Sequence, residues 1–380
     1  MRKVCVVIGT RPEAIKMAPV VMALRERPEL FRVTVCSTGQ HTTMLESAMA
    51  AFGLKANEEL EVMQPGQSLA QLTSRLLLAL DHHLAETEPD LVLVHGDTTS
   101  AMAGALAAFY RQIDVGHIEA GLRTRNLLSP FPEEYNRRSV AIATRYHFAP
   151  TQAARKNLEN EGVSADQIIV TGNTVIDALQ YTIRSLELDV EEVAHLRARL
   201  TLELGFDPGQ QAFVLITAHR RENFGAGLEN ICFSIRELAK ANPGLFFVYP
   251  VHLNPKVKNA VDAELKNVSN VALIAPQDYR TFAWLLHKCL LVLTDSGGIQ
   301  EEAPALGKPV LVMRDTSERP EAIEAGTAKL VTTAPEIVIK EVQNLISNTD
   351  EYDRMAKAIN PFGDGMAAKR IVEYLAAASR

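Results

Sequence analysis

Residues 3–24 read KVCVVIGTRPEAIKMAPVVMAL. An unbroken apolar run, Lys3 to Gly9, gives way to Met17, Val20, Val21 and Leu24 at helical spacing, so one strand is followed at once by one helix. A strand without polar alternation suits a parallel sheet buried on both faces.

The same unit recurs outward from there. Further strand-like runs lie at Arg32 to Ser37, Asp90 to His95, Asp114 to Ile118, Tyr146 to Ala149 and Gln167 to Thr171. A second set lies at Ala212 to Thr217, Leu245 to Pro250, Val271 to Ala275, Leu290 to Thr294, Pro309 to Met313 and Ala328 to Val331. Amphipathic stretches such as Phe282, Leu285 and Leu286 separate them, the pattern of alternating β and α units. The charged stretch from Arg184 to Gly205 carries no strand signal and reads as a helix and linker. A single core stops growing near 250 to 300 residues. A chain of 380 residues with this seam is therefore expected to form two doubly wound α/β domains, residues 1–175 and 176–363, the first completed by a terminal helix within 364–380.

Charge narrows the function. Lys and Arg total 39 against 46 Asp and Glu, a net charge of -7, which argues against a nucleic-acid binder. No apolar run reaches the roughly 18 residues of a membrane span. The four cysteines, Cys5, Cys36, Cys232 and Cys289, are scattered in apolar segments and show no CxxC pair. With no leader-like start, a reduced cytoplasm is the expected setting.

In doubly wound sheets ligands bind beyond the carboxyl ends of the strands. After the first strand, Thr10 and Glu13 fit a capping box with Pro12 in the first turn, whereas Arg11 and Lys16 place cations at a helix N-terminus, where a bound anion would favour them. Asp97 in VHGDTTS reads by itself as a helix N-cap. Glu119 in GHIEAGLR has no such role, and with His95 and His117 nearby it suits acid/base work. SPFPEEYNRR adds Glu133 and Glu134, with Glu133 and Arg137 spaced as a helical i,i+4 pair. In the second half, His219 beside Arg220 and Arg221 suggests an anion pocket, and His252 repeats the theme. Ser296-Gly297-Gly298 between a strand and a helix lets backbone N–H groups approach a phosphate, with Glu301 or Glu302 one turn on for ribose hydroxyls and Arg319 on the same edge. No P-loop, GxGxxG or HExxH spacing is present, so neither a metal nor a cofactor is expected.

Taken together, GTRPEAIKMAP (9–19), VHGDTTS (94–100), GHIEAGLRT (116–124), SPFPEEYNRR (129–138), GNTVIDAL (172–179), HRREN (219–223), YPVHLNP (249–255), PQDY (276–279), TDSGGIQEEAP (294–304) and RDTSERPEA (314–322) resemble the non-hydrolysing UDP-N-acetylglucosamine 2-epimerases. The resemblance implies two Rossmann-like domains facing a cleft, the glycosyltransferase-B architecture. It also implies a homodimer that interconverts UDP-N-acetylglucosamine and UDP-N-acetylmannosamine by loss and re-addition of UDP, for surface polysaccharide. Carried over by motif, Asp97, Glu119, Glu133 and His219 become acid/base and leaving-group machinery. Arg11, Lys16, Arg137, Ser296, Gly297, Gly298, Glu302 and Arg319 become ligands of the diphosphate, ribose or sugar, and Gln277 and Phe282 enclose the uracil. Gln40, Gln67, Glu134, Arg220 and His252 fall where some members bind a second UDP-N-acetylglucosamine as activator. The chain departs from those members at Gly66, Thr42 and Thr43, and carries Tyr135 and Phe131 where Ala and Trp are commoner. A glycosyltransferase of the same architecture is the alternative, since a fold does not dictate a function. A hydrolysing epimerase and a non-catalytic nucleotide-sugar sensor follow.

Overall fold

The computed structural model describes residues 1–39 and 42–378, so Gln40 lies outside the described residues. Contacts divide the chain into two compact units, Met1–Tyr181 with the stretch from Phe362 onward, and Thr182–Pro361. The division falls six residues beyond the 175/176 boundary expected from sequence, within the helix Thr174–Leu188. The stretch read as helix and linker is two helices, Thr174–Leu188 and Val190–Leu204, with Asp189 capping the second through the Glu192 N–H at 2.9 Å. Its charge reflects exposed faces, which a search for strand signal reads as a linker.

The first unit holds strands β1 (Arg2–Ile8), β2 (Phe31–Ser37), β3 (Glu58–Glu59), β4 (Leu91–His95), β5 (Asp114–Ile118), β6 (Tyr146–Ala149) and β7 (Ile168–Val170). They form one sheet in the order β3-β2-β1-β4-β5-β6-β7, every pair parallel. Only β3 lacked a sequence signal: it is two glutamates long and borrows its register from Cys36 and Ser37. The interior β1 and β4 are buried from Val4 to Ile8 and from Leu91 to His95, as a sheet covered on both faces requires. Helix Thr99–Tyr110, nearly all small residues on its buried side, packs against helix Leu69–Thr87 over this sheet. Helix Ala367–Ala377 closes the unit: Asp177 accepts from the N–H groups of Ala367 (3.2 Å) and Ala368 (2.9 Å), a carboxylate at a helix N-terminus.

The second unit repeats the plan. Strands β8 (Phe213–Thr217), β9 (Phe246–Pro250), β10 (Val271–Ile274), β11 (Leu291–Thr294), β12 (Val310–Val312) and β13 (Ala328–Leu330) lie in the order β10-β9-β8-β11-β12-β13, again all parallel. Its core joins Val214, Ile216, Phe247 and Leu293 to Ile231, Ile235 and Leu238 of helix Ala226–Ala241. All four cysteines are buried and unpaired. Among the described residues no helix is long and apolar enough to cross a membrane.

One close approach fixes the loop after β5. Gly121 has φ +92°, and a Cβ there would stand 2.3 Å from the Ala154 carbonyl oxygen. Gly53 also has positive φ, at +65°, but faces open space. Gly121→Ala is expected to lower stability by roughly 3 kcal/mol in urea unfolding, and Gly53→Ala by about 1 kcal/mol. Equal losses at the two sites would refute the packing constraint.

Candidate active site

Each sheet reverses direction once, between β1 and β4 and between β8 and β11. In doubly wound sheets ligands bind beyond the carboxyl ends of the strands near such a point, and candidate residues of each unit lie in loops that follow its strands.

In the first unit the loop after β1 is tied to the loop after β4 by Glu13. Its Oε2 accepts from the Gly9 N–H (3.0 Å) and the Thr10 hydroxyl (2.8 Å), and its Oε1 from the Thr98 hydroxyl (2.6 Å). The carboxylate therefore reaches back past its expected capping position to Gly9. Burial pushes the Glu13 carboxyl up to about 7 despite these three donors. Thr98, and not Asp97, caps helix Thr99–Tyr110, accepting from the Ala101 N–H at 3.0 Å. The cap expected of Asp97 is thus supplied by its neighbour, and the Asp97 side chain is left to the site.

Asp97 forms an ion pair with Arg137, whose other terminal nitrogen lies 3.3 Å from Glu134. The helical pair expected between Glu133 and Arg137 does not form: helix Glu133–Ala143 turns Arg137 toward Asp97, and Glu133 Oε2 is buried without a hydrogen-bond partner. Glu134 is fully buried and accepts from the N–H groups of Thr124 (3.0 Å) and Arg125 (3.1 Å), bracing the preceding loop.

Glu119 has φ +64°, a left-handed backbone rare for a residue with a side chain, and this turns its carboxylate toward Lys16, with which it pairs. Asn173, after β7, donates to the same oxygen at 2.8 Å. His95 Nε2 stands 3.8 Å from that oxygen with no hydrogen bond. Burial pulls His95 down to about 4, so it is neutral at pH 7. His117, drawn down to about 3 by burial, donates from Nε2 to the Gly96 carbonyl at 2.7 Å and supports the β4 loop from behind. Arg11 is half-buried in the first turn of helix Arg11–Arg25.

In the second unit Asp295, fully buried after β11, accepts through Oδ2 from the N–H groups of His219 (2.8 Å) and Arg220 (2.7 Å) and from the Asn223 amide (3.2 Å). The HRREN segment is thereby folded around one carboxylate. The His219 ring stacks on His252, centroids 5.3 Å apart and planes 5° apart, and burial draws His219 below the usual imidazole range. Arg220 pairs with Glu318 at 3.0 Å. Ser296 precedes helix Gly297–Glu302 without capping it through its side chain. A Cβ at Gly297 or Gly298 would meet only side-chain ends, at 3.6 and 3.5 Å. Arg319 pairs with the buried Glu301, which leaves Glu302 as the half-buried carboxylate of the two.

Gln277 donates to the Ala275 carbonyl at 2.8 Å, two residues before helix Tyr279–Lys288, where Phe282 is half-buried. Gln67 accepts from Arg75 at 2.9 Å, in the first unit and outside the loops that hold Asp97 and Glu119. Among the described residues no group of three or more His, Cys, Asp or Glu is placed to hold a metal ion.

Residues 22–376 match the family model described as UDP-N-acetylglucosamine 2-epimerase. The chain belongs to the UDP-N-acetylglucosamine 2-epimerase family. It is 51% identical over 377 residues to a probable UDP-N-acetylglucosamine 2-epimerase of Ralstonia solanacearum, with 99% of each chain covered. It is 50% identical over 373 residues to the UDP-N-acetylglucosamine 2-epimerase of Escherichia coli K12, with 98% of each covered. The crystal structure of the Neisseria meningitidis UDP-GlcNAc 2-epimerase bound to UDP-GlcNAc superposes with a TM-score of 0.89 at 48% identity, covering 98% of this chain and 99% of that one.

The sequence points to Glu13 only as a helix cap and does not single out Asn173, Asn223 or Asp295. All four lie inside motifs that were read, in GTRPEAIK, GNTVIDAL, HRREN and TDSGG. Glu13 was explained away as a cap, and Asp295 was overshadowed by the glycines after it.

The Glu13 carboxyl gives a pH signature. Its folded value of about 7 lies above the ordinary carboxyl value of 4.5, so the folded protein retains a proton that the unfolded chain loses between them. That contribution is complete below the unfolded value and disappears as pH rises through the folded one, up to about 3 kcal/mol in all. Relative to Glu13→Gln, wild type should therefore lose urea stability between about pH 5 and about pH 8. Parallel curves for the two proteins would show that Glu13 does not titrate in that window.

Proposed function

We propose that the chain interconverts UDP-N-acetylglucosamine and UDP-N-acetylmannosamine by inverting C2 of the sugar. Family membership over nearly the whole chain carries this reading, and the clustered carboxylates of the first unit support it. The C2 proton is not acidic in the bound sugar, because no carbonyl carbon adjoins C2. Loss of UDP supplies an alternative. The C1–O bond breaks with its electron pair leaving on UDP, oxocarbenium character grows at C1, and a base removes the C2 proton as the C1=C2 bond forms. Return of a proton to the opposite face of C2 and of the UDP oxygen to C1 gives the epimer, and no atom is gained or lost.

The two units suit different halves of this task. Asp97, held by Arg137, Glu119, held by Lys16, and Glu133, whose buried Oε2 has no hydrogen-bond partner, supply the acid and base near C2. His219, Ser296, Gly297 and Gly298 supply donors for the departing diphosphate, Glu302 a partner for ribose hydroxyls, and Gln277 and Phe282 a place for the uracil. Arg11, Lys16, Arg137 and Arg319 add positive charge, of which Lys16, Arg137 and Arg319 already neutralise carboxylates of the site. Gln67, Glu134, Arg220 and His252 are candidate contacts for a second, activating UDP-N-acetylglucosamine. We place the reaction in the cytoplasm, a reducing setting that suits four unpaired cysteines.

Incubation with UDP-N-acetylglucosamine in heavy water, followed by NMR, is expected to give deuterium at C2 and UDP-N-acetylmannosamine. Release of free N-acetylmannosamine would indicate a hydrolysing enzyme, and no exchange without an added acceptor would favour a glycosyltransferase. Asp97→Asn should lower kcat on the order of 10²- to 10⁴-fold while UDP still binds. Activity near wild type would remove Asp97 from the acid/base set.

A further inference from the structure

Asp295 holds more than a loop. Its Oδ2 is saturated by three donors, the N–H groups of His219 and Arg220 and the Asn223 amide. Its Oδ1 is equally buried and, among the described residues, has no hydrogen-bond partner. A buried acceptor left in that condition destabilises the fold unless a partner can reach it. The group it faces is His219 Nδ1, at 3.8 Å.

The His219 ring has little freedom to turn elsewhere. Its backbone N–H is fixed on the same carboxylate, and its face lies parallel to His252. His252 is held in turn, because its Nδ1 accepts from the Asn254 N–H at 3.1 Å. The titratable and charged groups around the His219 ring are Asp295, His252 and Arg220. Of these, Asp295 offers an oxygen acceptor to Nδ1, and a tilt of the ring of about 1 Å would bring the two to charge-assisted hydrogen-bond distance. A carboxylate on one ring nitrogen decides where the proton of a neutral imidazole resides.

We propose that Asp295 is a positioning residue that holds one proton on His219 Nδ1, so that Nε2 is the edge turned to the diphosphate of the nucleotide sugar and donates to it once the ring takes up a second proton from solvent. The proposal rests on the reading that His219 acts on that diphosphate. It accounts for the orphaned Oδ1, for the second role of the loop anchor and for the stacked His252 with one set of contacts.

Asp295→Asn separates the two roles. The amide oxygen can still accept from the His219 and Arg220 N–H groups, while the NH2 group faces Nδ1 and, donor against donor, drives the proton to Nε2. Long-range ¹H–¹⁵N spectra of histidine-labelled protein, with His219 assigned from a His219→Gln sample, report the tautomer without any variant at Asp295. In wild type a pyrrole-type Nδ1 and a pyridine-type Nε2 are expected. In Asp295→Asn the two should exchange, with kcat reduced on the order of 10²- to 10⁴-fold and the Kd for UDP within about threefold of wild type. A wild-type proton on Nε2, or an Asp295→Asn enzyme with kcat within about threefold of wild type, would overturn the proposal. Wild-type protein that shows the Nδ1–H form yet leaves UDP-N-acetylglucosamine unchanged supports the dyad and sinks the epimerase reading instead.

Discussion

The reversal of strand order in each sheet is the constraint from which the site follows. β1 has β2 on one side and β4 on the other, and β8 has β9 and β11, so the connections leave in opposite directions at one point per sheet. Loops that diverge leave their strand-end backbone unopposed. In both units part of the candidate set comes from the two strands flanking that point, Thr10 to Lys16 and His95 to Asp97 in the first and His219 to Asn223 and Asp295 to Gly298 in the second, while Glu119, Glu133 and Arg319 follow neighbouring strands.

What the loops do there is governed by the cost of buried charge. A carboxylate in a half-dry crevice requires a cation or several donors. The first unit answers with Lys16 on Glu119 and Arg137 on Asp97, each pair bridging segments far apart in sequence. Glu13 takes the other solution, three uncharged donors, and so sits where its proton is exchangeable near neutrality. Asp295 combines two backbone N–H groups and an amide, which fold the HRREN segment into a fixed shape.

The strand ladder was legible because buried parallel strands are apolar without interruption, and all twelve such runs formed strands. β3 was not, since a two-residue edge strand of glutamates owes its existence to β2 alone. The loops carrying Asp97, Glu119, Glu133 and His219 were legible as unusual residues at strand ends. Their partners were not. Spacing along one helix suggested Glu133 for Arg137, but the helix faces the β4 loop, and a contact across forty residues of sequence prevailed over one across four. The left-handed backbone of Glu119 likewise follows from the packing of the next turn, where Gly121 meets Ala154.

The same packing argues for a division of labour between helix N-termini that look alike in sequence. Helix Arg11–Arg25 begins with its positive end already filled, because Glu13 claims the Gly9 N–H and the Thr10 hydroxyl. A phosphate there would meet a carboxylate before it met a donor. The segment Ser296-Gly297-Gly298 carries no side-chain cap, and what its glycines face is the ends of Arg220, Glu318, Arg319 and Glu302. Those are mobile groups that can move aside for a ligand, and two of the four are cations. A dianionic leaving group is therefore better accommodated by the second unit. Lys16, in the first unit, already holds Glu119, one of the carboxylates proposed to handle the proton.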